Sequence, residues 1–325
     1  MADGRRRATV ISLALSGALL TALYRSVDIR LVLIQLRDVD PIWLVVSVGV
    51  IVPITWLRAL RFYLVAPPGA LPGVGEALRL TLVSAAANVF MPASSGDLVK
   101  SYFIARSGGG SAPITIAVVA YERLADMFGL ITWCVLGWFF VRPMAPGVPD
   151  LFWPFLGGVG VICGVLISSN RVGRFFPALL ARLLRGRLSK LLALAEGWPG
   201  MMATLRGRRA RVVALSLLLW FIHLSQIYMF TIALAMQIPF SVSASLSAIA
   251  LMAGQLPFAF GGLGARDVAI VLLLKNYARP ESAAALGLLM ATRNFLPPLA
   301  ALPIVRRYVA AVSREMWLGP HAQEE

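Results

Sequence analysis

Apolar residues in this chain run in long blocks, not in the stripe of every third or fourth position that marks a surface helix. The blocks at residues 8–24, 42–65, 114–141, 151–168, 212–236 and 283–305 each approach or exceed the roughly 20 residues needed to cross a bilayer's hydrocarbon core. They predict six transmembrane helices. Two further apolar regions, 76–106 and 242–276, are interrupted near their centres by proline and glycine. A continuous helix over 77–105 would run about 43 Å, well beyond a hydrocarbon thickness of about 30 Å. A re-entrant hairpin therefore fits each better than one kinked span.

The two breaks share a grammar. In the first, Pro92 removes an amide donor and disfavours a helical residue before it, and Ser94, Ser95 and Asp97 are placed to cap a new helix. In the second, Pro257 is followed by Gly261, Gly262 and Gly264, then by Arg266 and Asp267. The spacing from Pro92 to Gly96 equals that from Pro257 to Gly261, and each region is followed by a span carrying an arginine, Arg123 or Arg293. The expected fold is an all-α polytopic membrane protein with about six full spans and two re-entrant hairpins in an inverted-repeat arrangement. Residues 1–325 form one transmembrane domain: a first half, 1–141, with hairpin 76–106; a basic segment, 170–211; and a second half, 212–305, with hairpin 242–276.

Composition agrees: 59% of residues are hydrophobic and 14% charged, against about 25% charged in soluble domains, and mean hydropathy is +0.80. A soluble globule is excluded. The formal net charge of +15 points to the membrane rather than to nucleic acid, because its arginines crowd between apolar spans. Arg171, Arg174, Arg182, Arg185, Arg187, Lys190, Arg206, Arg208, Arg209 and Arg211 all fall in 170–211, which the positive-inside rule places in the cytoplasm. Counting spans outward puts both termini there, in keeping with Arg5–Arg7 and with Arg306, Arg307 and Arg314. Phe175, Leu179, Leu183 and Leu184 share one side of a helix in this segment, the pattern of an element lying in the interface; a solvated cationic loop is the plainer alternative. Ser16, Gly17 and Ala18 sit inside the first apolar run with no small-residue cleavage site after it, so that block reads as an uncleaved span rather than a signal peptide. Cys134 and Cys163 lie in apolar runs and read as buried hydrophobes; no metal set or cofactor loop is expected.

Glu122, Arg123 and Asp126 fall inside an apolar span, where ionisable groups are costly and become functional candidates. Glu122 and Asp126 lie one turn apart and repel unless a cation sits between them; Lys100 is the candidate cation, and Arg123 can meet Asp97 or a ligand phosphate. Two readings stay open, a substrate site and a structural ion-pair cluster. Arg58, Arg61 and Arg79 read as snorkelling anchors, His223 as a hydrogen-bonded packing residue, and Trp133, Trp138 and Trp153 as parts of an aromatic belt.

In order along the chain stand Asn88, Pro92, Gly96, Asp97 and Lys100; then Glu122, Arg123, Leu124 and Asp126; then Gly261, Gly262, Leu263, Gly264, Arg266 and Asp267. With the stretch from Trp56 to Phe62, these motifs resemble the flippase-like transmembrane family, that of the membrane domain of lysylphosphatidylglycerol synthases. Lys100 stands where the family has arginine and Asp267 where it has glutamate. The resemblance implies lipid translocation, and with only a short tail after Val305 it implies this without aminoacylation. The expected function is a transporter moving an anionic phospholipid or polyprenyl-phosphate-linked lipid between leaflets of the cytoplasmic (inner) membrane. Its site would comprise Asn88, Ser95, Asp97, Lys100, Glu122, Arg123, Asp126, Arg266, Asp267 and Arg293. Expected partners are anionic membrane lipids, with a lipid-synthesising enzyme a further possibility and no nucleic acid. An accessory subunit and an intramembrane lipid-modifying transferase are the alternatives; for an enzyme the sequence offers no nucleotide fold, metal set or nucleophile with its base.

Overall fold

A computed structural model describes residues 2–90, 96–141, 152–183, 189–255 and 264–318, and these fold entirely into helices and their connections. In order they are α1 (Ala2–Ser26), α2 (Ile29–Arg37), α3 (Pro41–Gly49), α4 (Ile51–Val65), α5 (Val74–Phe90), α6 (Leu98–Arg106), α7 (Ala112–Val141), α8 (Phe152–Ser168), α9 (Asn170–Leu183), α10 (Ser189–Thr204), α11 (Arg209–Ala233), α12 (Phe240–Gly254), α13 (Ala265–Leu274) and α14 (Pro280–Leu318). Among the described residues, three stretches are long and apolar enough to cross a membrane: Pro41–Val65, which joins α3 and α4, Arg209–Ala233 and Pro280–Tyr308. Trp153–Ser168 and Phe240–Gly254 are shorter and apolar. α7 has 30 residues but carries Glu122, Arg123 and Asp126 at its middle.

Local chemistry sets the boundaries. Asp40 accepts from the Ile42 and Trp43 amides at 2.8 and 3.2 Å, with Pro41 at the first helical position, and so starts α3. Asp28 does the same for α2, accepting from Arg30 N at 2.8 Å. This short amphipathic helix between the first two apolar blocks was not expected from the sequence. α6 ends on Gly108 at φ 76°, with Gly109 N donating to Ile104 O at 3.0 Å, the left-handed turn that glycine adopts without strain.

The regions expected to break do so, into α5 with α6 and α12 with α13. α5 packs on α6 and α12 on α13, and the exchange is reciprocal: α14 runs along α5, whereas α7 runs along α12. Two apolar clusters fill the interior. One gathers Leu130, Trp220, Phe230, Leu286 and Met290; the other gathers Phe62, Leu80, Tyr121, Trp198 and Met201. Two expectations need correction here. Trp153 belongs to the first cluster rather than to an aromatic belt. The second part of the basic segment is not a solvated loop, because α10 packs along α7 and buries Trp198, Met201 and Met202. A Cβ on Gly197 would collide with the backbone of Pro113, so close helix approach through a small residue makes this contact possible.

Candidate functional site

The charged groups of the interior fall into two clusters, one at each break. The first is built around Arg61, which α4 carries between the fully buried Ala59 and Phe62. Arg61 grips Asp126 with both arms, Nη1 to Oδ1 at 2.6 Å and Nη2 to Oδ2 at 3.0 Å. Its Nη1 also donates to Ser216 Oγ of α11 at 3.1 Å, and its Nη2 stands 3.9 Å from Glu122 Oε1. The planar fork of arginine suits this bidentate geometry. Lys100 donates to the other oxygen of Glu122 at 3.2 Å, with its ammonium 4.8 Å from the centroid of the Phe62 ring. Two corrections follow. Arg61 is not a snorkelling anchor: at 2% exposure it is the cation that separates Glu122 from Asp126. Lys100 neutralises Glu122 alone.

Asp97 stands where α6 begins, yet it makes no capping hydrogen bond to that helix. Arg123 of α7 claims its carboxylate, which also accepts from Ser84 Oγ and, at 3.1 Å, from Asn88 Nδ2. A buried carboxylate gains more from a guanidinium than from helix amides, so the capping role expected of Asp97 gives way. α5 can approach closely because residue 96 is glycine: a Cβ there would stand 2.5 Å from Asn88 N and 2.7 Å from Ala87 C.

At the second break Asp267 does cap, accepting from Gly264 N at 3.0 Å. Its other oxygen takes Arg266 Nε at 3.1 Å and Nη2 at 2.6 Å, and Arg266 Nη2 donates on to Gly287 O of α14 at 3.1 Å. Both residues are buried. Gly264 has φ 84°, and a Cβ on it would lie 2.9 Å from Ser16 O of α1, so the turn needs glycine on both counts.

Arg58 and Arg293 behave differently. Among the described residues neither forms an ion pair with a carboxylate. Arg58 Nη2 lies 3.5 Å from His223 Nε2. His223 Nδ1 lies 2.8 Å from Leu219 O, a carbonyl that only accepts, so the bonding assigns the proton to Nδ1 and leaves Nε2 to accept from Arg58. Trp220 packs beside this ring at 5.2 Å between centroids. Arg293 Nε and Nη1 are buried without any hydrogen-bond partner. Arg58 is thus a partly buried interior cation, not an anchor reaching for headgroups.

The structure brings Asn88, Asp97 and Arg123 together, joins Lys100, Glu122 and Asp126 through Arg61, and sets Arg266 with Asp267. Arg293 stays apart. Ser95, Pro92, Pro257, Gly261 and Gly262, the tips of both breaks, lie outside the described residues. Sequence reasoning missed Arg61, Ser84 and Ser216. A signal existed for Arg61, which sits one turn from Arg58 on a span otherwise free of charge. Among the described residues no group of three or more His, Cys, Asp or Glu is placed to hold a metal ion. Separately, a cavity of about 300 Å³ is lined by Arg79, Phe103, Arg106, Ile304, Arg307 and Tyr308. The exposed Arg79 bonds Glu76 at 3.1 Å.

Comparison with known proteins gives two results. The family model described as lysylphosphatidylglycerol synthase TM region matches residues 9–301. Curated proteins give no match.

Proposed function

The chain belongs to the family of the lysylphosphatidylglycerol synthase TM region, and from that premise we propose that it transports an anionic phospholipid or polyprenyl-phosphate-linked lipid between leaflets of the cytoplasmic membrane. The observation that carries the proposal is the interior charge balance. Among the described residues, Arg58, Arg61, Lys100, Arg123, Arg266 and Arg293 stand against the interior carboxylates Asp97, Glu122, Asp126 and Asp267. An unaided headgroup must shed its hydration into hydrocarbon, and a charged one does so at far greater cost. A polar track with surplus positive charge lowers that barrier for anions above all. The arginine-lined cavity beside Phe103 and Tyr308 offers cations and apolar surface together, as a lipid entering headgroup-first requires.

In this reading α5 with α6 and α12 with α13 are re-entrant hairpins, and the reciprocal packing of α14 on α5 and of α7 on α12 supports an inverted repeat. Both termini then face the cytoplasm, and the protein works as a transporter rather than an enzyme. The test is reconstitution of the purified chain into liposomes with a labelled phosphatidylglycerol and, separately, a labelled polyprenyl phosphate. Faster movement between leaflets than in empty liposomes, with anionic lipids favoured over phosphatidylcholine, is expected. Equal rates with folded protein would retire the transport reading in favour of an accessory role.

A further inference from the structure

We infer that Arg58 and Arg293 together form a binding site for a phosphate group, set between the two ion-pair clusters. The inference deepens the transport reading and rests on it for the choice of lipid. It begins from pairing. Each of the four interior carboxylates has a cation in contact: Asp97 has Arg123, Glu122 has Lys100, Asp126 has Arg61 and Asp267 has Arg266. Among the described residues, Arg58 and Arg293 are left over. They are carried by α4 and α14, which pack on each other and both pack on α11, the helix of His223.

Two guanidiniums in one helical bundle, neither in an ion pair with a carboxylate among the described residues, favour an anion that joins them. The geometry leaves donors for it. Arg293 Nε and Nη1, which do not share one edge of the guanidinium, are both buried and unpartnered, so each is open to an acceptor oxygen. Arg58 commits only Nη2, and only in a 3.5 Å contact with His223 Nε2. Guanidinium donors from two residues suit a tetrahedral phosphate, which offers several acceptor oxygens. Among the described residues the nearby carboxylates are already engaged, Asp126 by Arg61, Asp97 by Arg123 and Asp267 by Arg266 and Gly264, and α11 presents His223 with its lone pair turned to Arg58.

The test uses the full chain purified in an uncharged detergent and melted with intrinsic tryptophan fluorescence as readout. Dihexanoyl phosphatidylglycerol, dihexanoyl phosphatidylcholine and inorganic phosphate serve as probes. The phosphatidylglycerol is expected to raise the Tm of the native chain in a concentration-dependent way. Arg293→Met and Arg58→Met should each weaken that binding about tenfold or more, with the double variant little worse than either single one. Without any probe, Arg293→Met should melt no lower than the native chain, because it removes an uncompensated charge. A larger shift with phosphatidylglycerol than with inorganic phosphate assigns the site to lipid headgroups, and equal shifts assign it to the free anion. Unchanged binding in both single variants, or an Arg293→Met protein that melts markedly lower without probe, overturns the inference. Binding that depends on Arg293 in a chain that moves no lipid in liposomes would leave the site standing and retire only the transport reading.

Discussion

The two broken helix pairs use the same residue types to opposite ends. At the first break the aspartate that opens the second helix, Asp97, reaches across to Arg123 on the following long helix. At the second, Asp267 is taken by its own chain neighbour Arg266, and the arginine on the following long helix, Arg293, makes no ion pair among the described residues and keeps Nε and Nη1 unbonded. The difference traces to one position. Glycine precedes Asp97, because α5 leaves no room for a side chain there, whereas arginine precedes Asp267. Similar local patterns therefore yield a neutralised pair in one place and a free cation in the other.

The largest effect should come from the first cluster, where one arginine serves two carboxylates. Arg61→Ala strands Asp126 and leaves Glu122 with Lys100 alone, at a cost of about 3–5 kcal/mol for breaking a buried pair. Folded yield after detergent extraction, followed by size-exclusion chromatography, should fall sharply. Arg266→Ala strands only Asp267 and should fall less. Combining Arg61→Met with Asp126→Leu, which removes both charges, should recover most of the lost yield. If the double variant is no better folded than Arg61→Ala, the cluster is not held by charge pairing.

That contrast also shows what the sequence could disclose. Helix positions were legible because each boundary carries local chemistry: Asp40 with Pro41, Gly108, and the proline and glycine of each break. The identity of most site residues was legible too, since a carboxylate inside an apolar block is conspicuous. Their pairing was not. Counting the cations named for the site, Lys100, Arg123, Arg266 and Arg293, against Asp97, Glu122, Asp126 and Asp267 gives a balanced interior with no need of Arg61. The contact between Arg61 and Asp126 spans 65 residues of sequence and depends on how α4 packs beside α7, which periodicity does not specify. The burial of α10 escaped for a related reason. Its flanking arginines read as cytoplasmic, yet its small-residue face at Gly197 docks on α7.

A middle-sized effect should come from the two glycines that open the second helices, and it sharpens the comparison by separating crowding from backbone strain. Gly96→Ala places a methyl group against the backbone at Asn88. That backbone cannot swing aside, so α6 must shift, at a cost of about 1–3 kcal/mol. Gly264→Ala meets Ser16 O and in addition forces alanine to φ 84°, a left-handed conformation costing about 1–2 kcal/mol. Thermal unfolding of both proteins should show Gly264→Ala the less stable. Equal Tm values would mean that α1 yields at Ser16 and that only the strained turn is felt.

The smallest stability effect belongs to Arg123, and it bears directly on whether the first break is as fully neutralised as its ion pair implies. The Arg123 side chain is 38% exposed, against 4% for Arg266, so solvent screens its pair with Asp97. Asp97 also keeps Ser84 and Asn88 as hydrogen-bond donors, and a carboxylate so supplied loses less when one partner leaves. Arg123→Lys retains the charge as a point without the guanidinium fork, and should fold in native amounts with a Tm close to that of the native chain. Arg123→Ala should melt lower than Arg123→Lys, though by less than Arg266→Ala loses. Transport adds the second axis. If Arg123 only balances Asp97, lysine sustains native lipid movement in liposomes. If its fork also holds a headgroup in passing, Arg123→Lys slows transport while its Tm stays native, and the first break then joins Arg58 and Arg293 on the path of the anion.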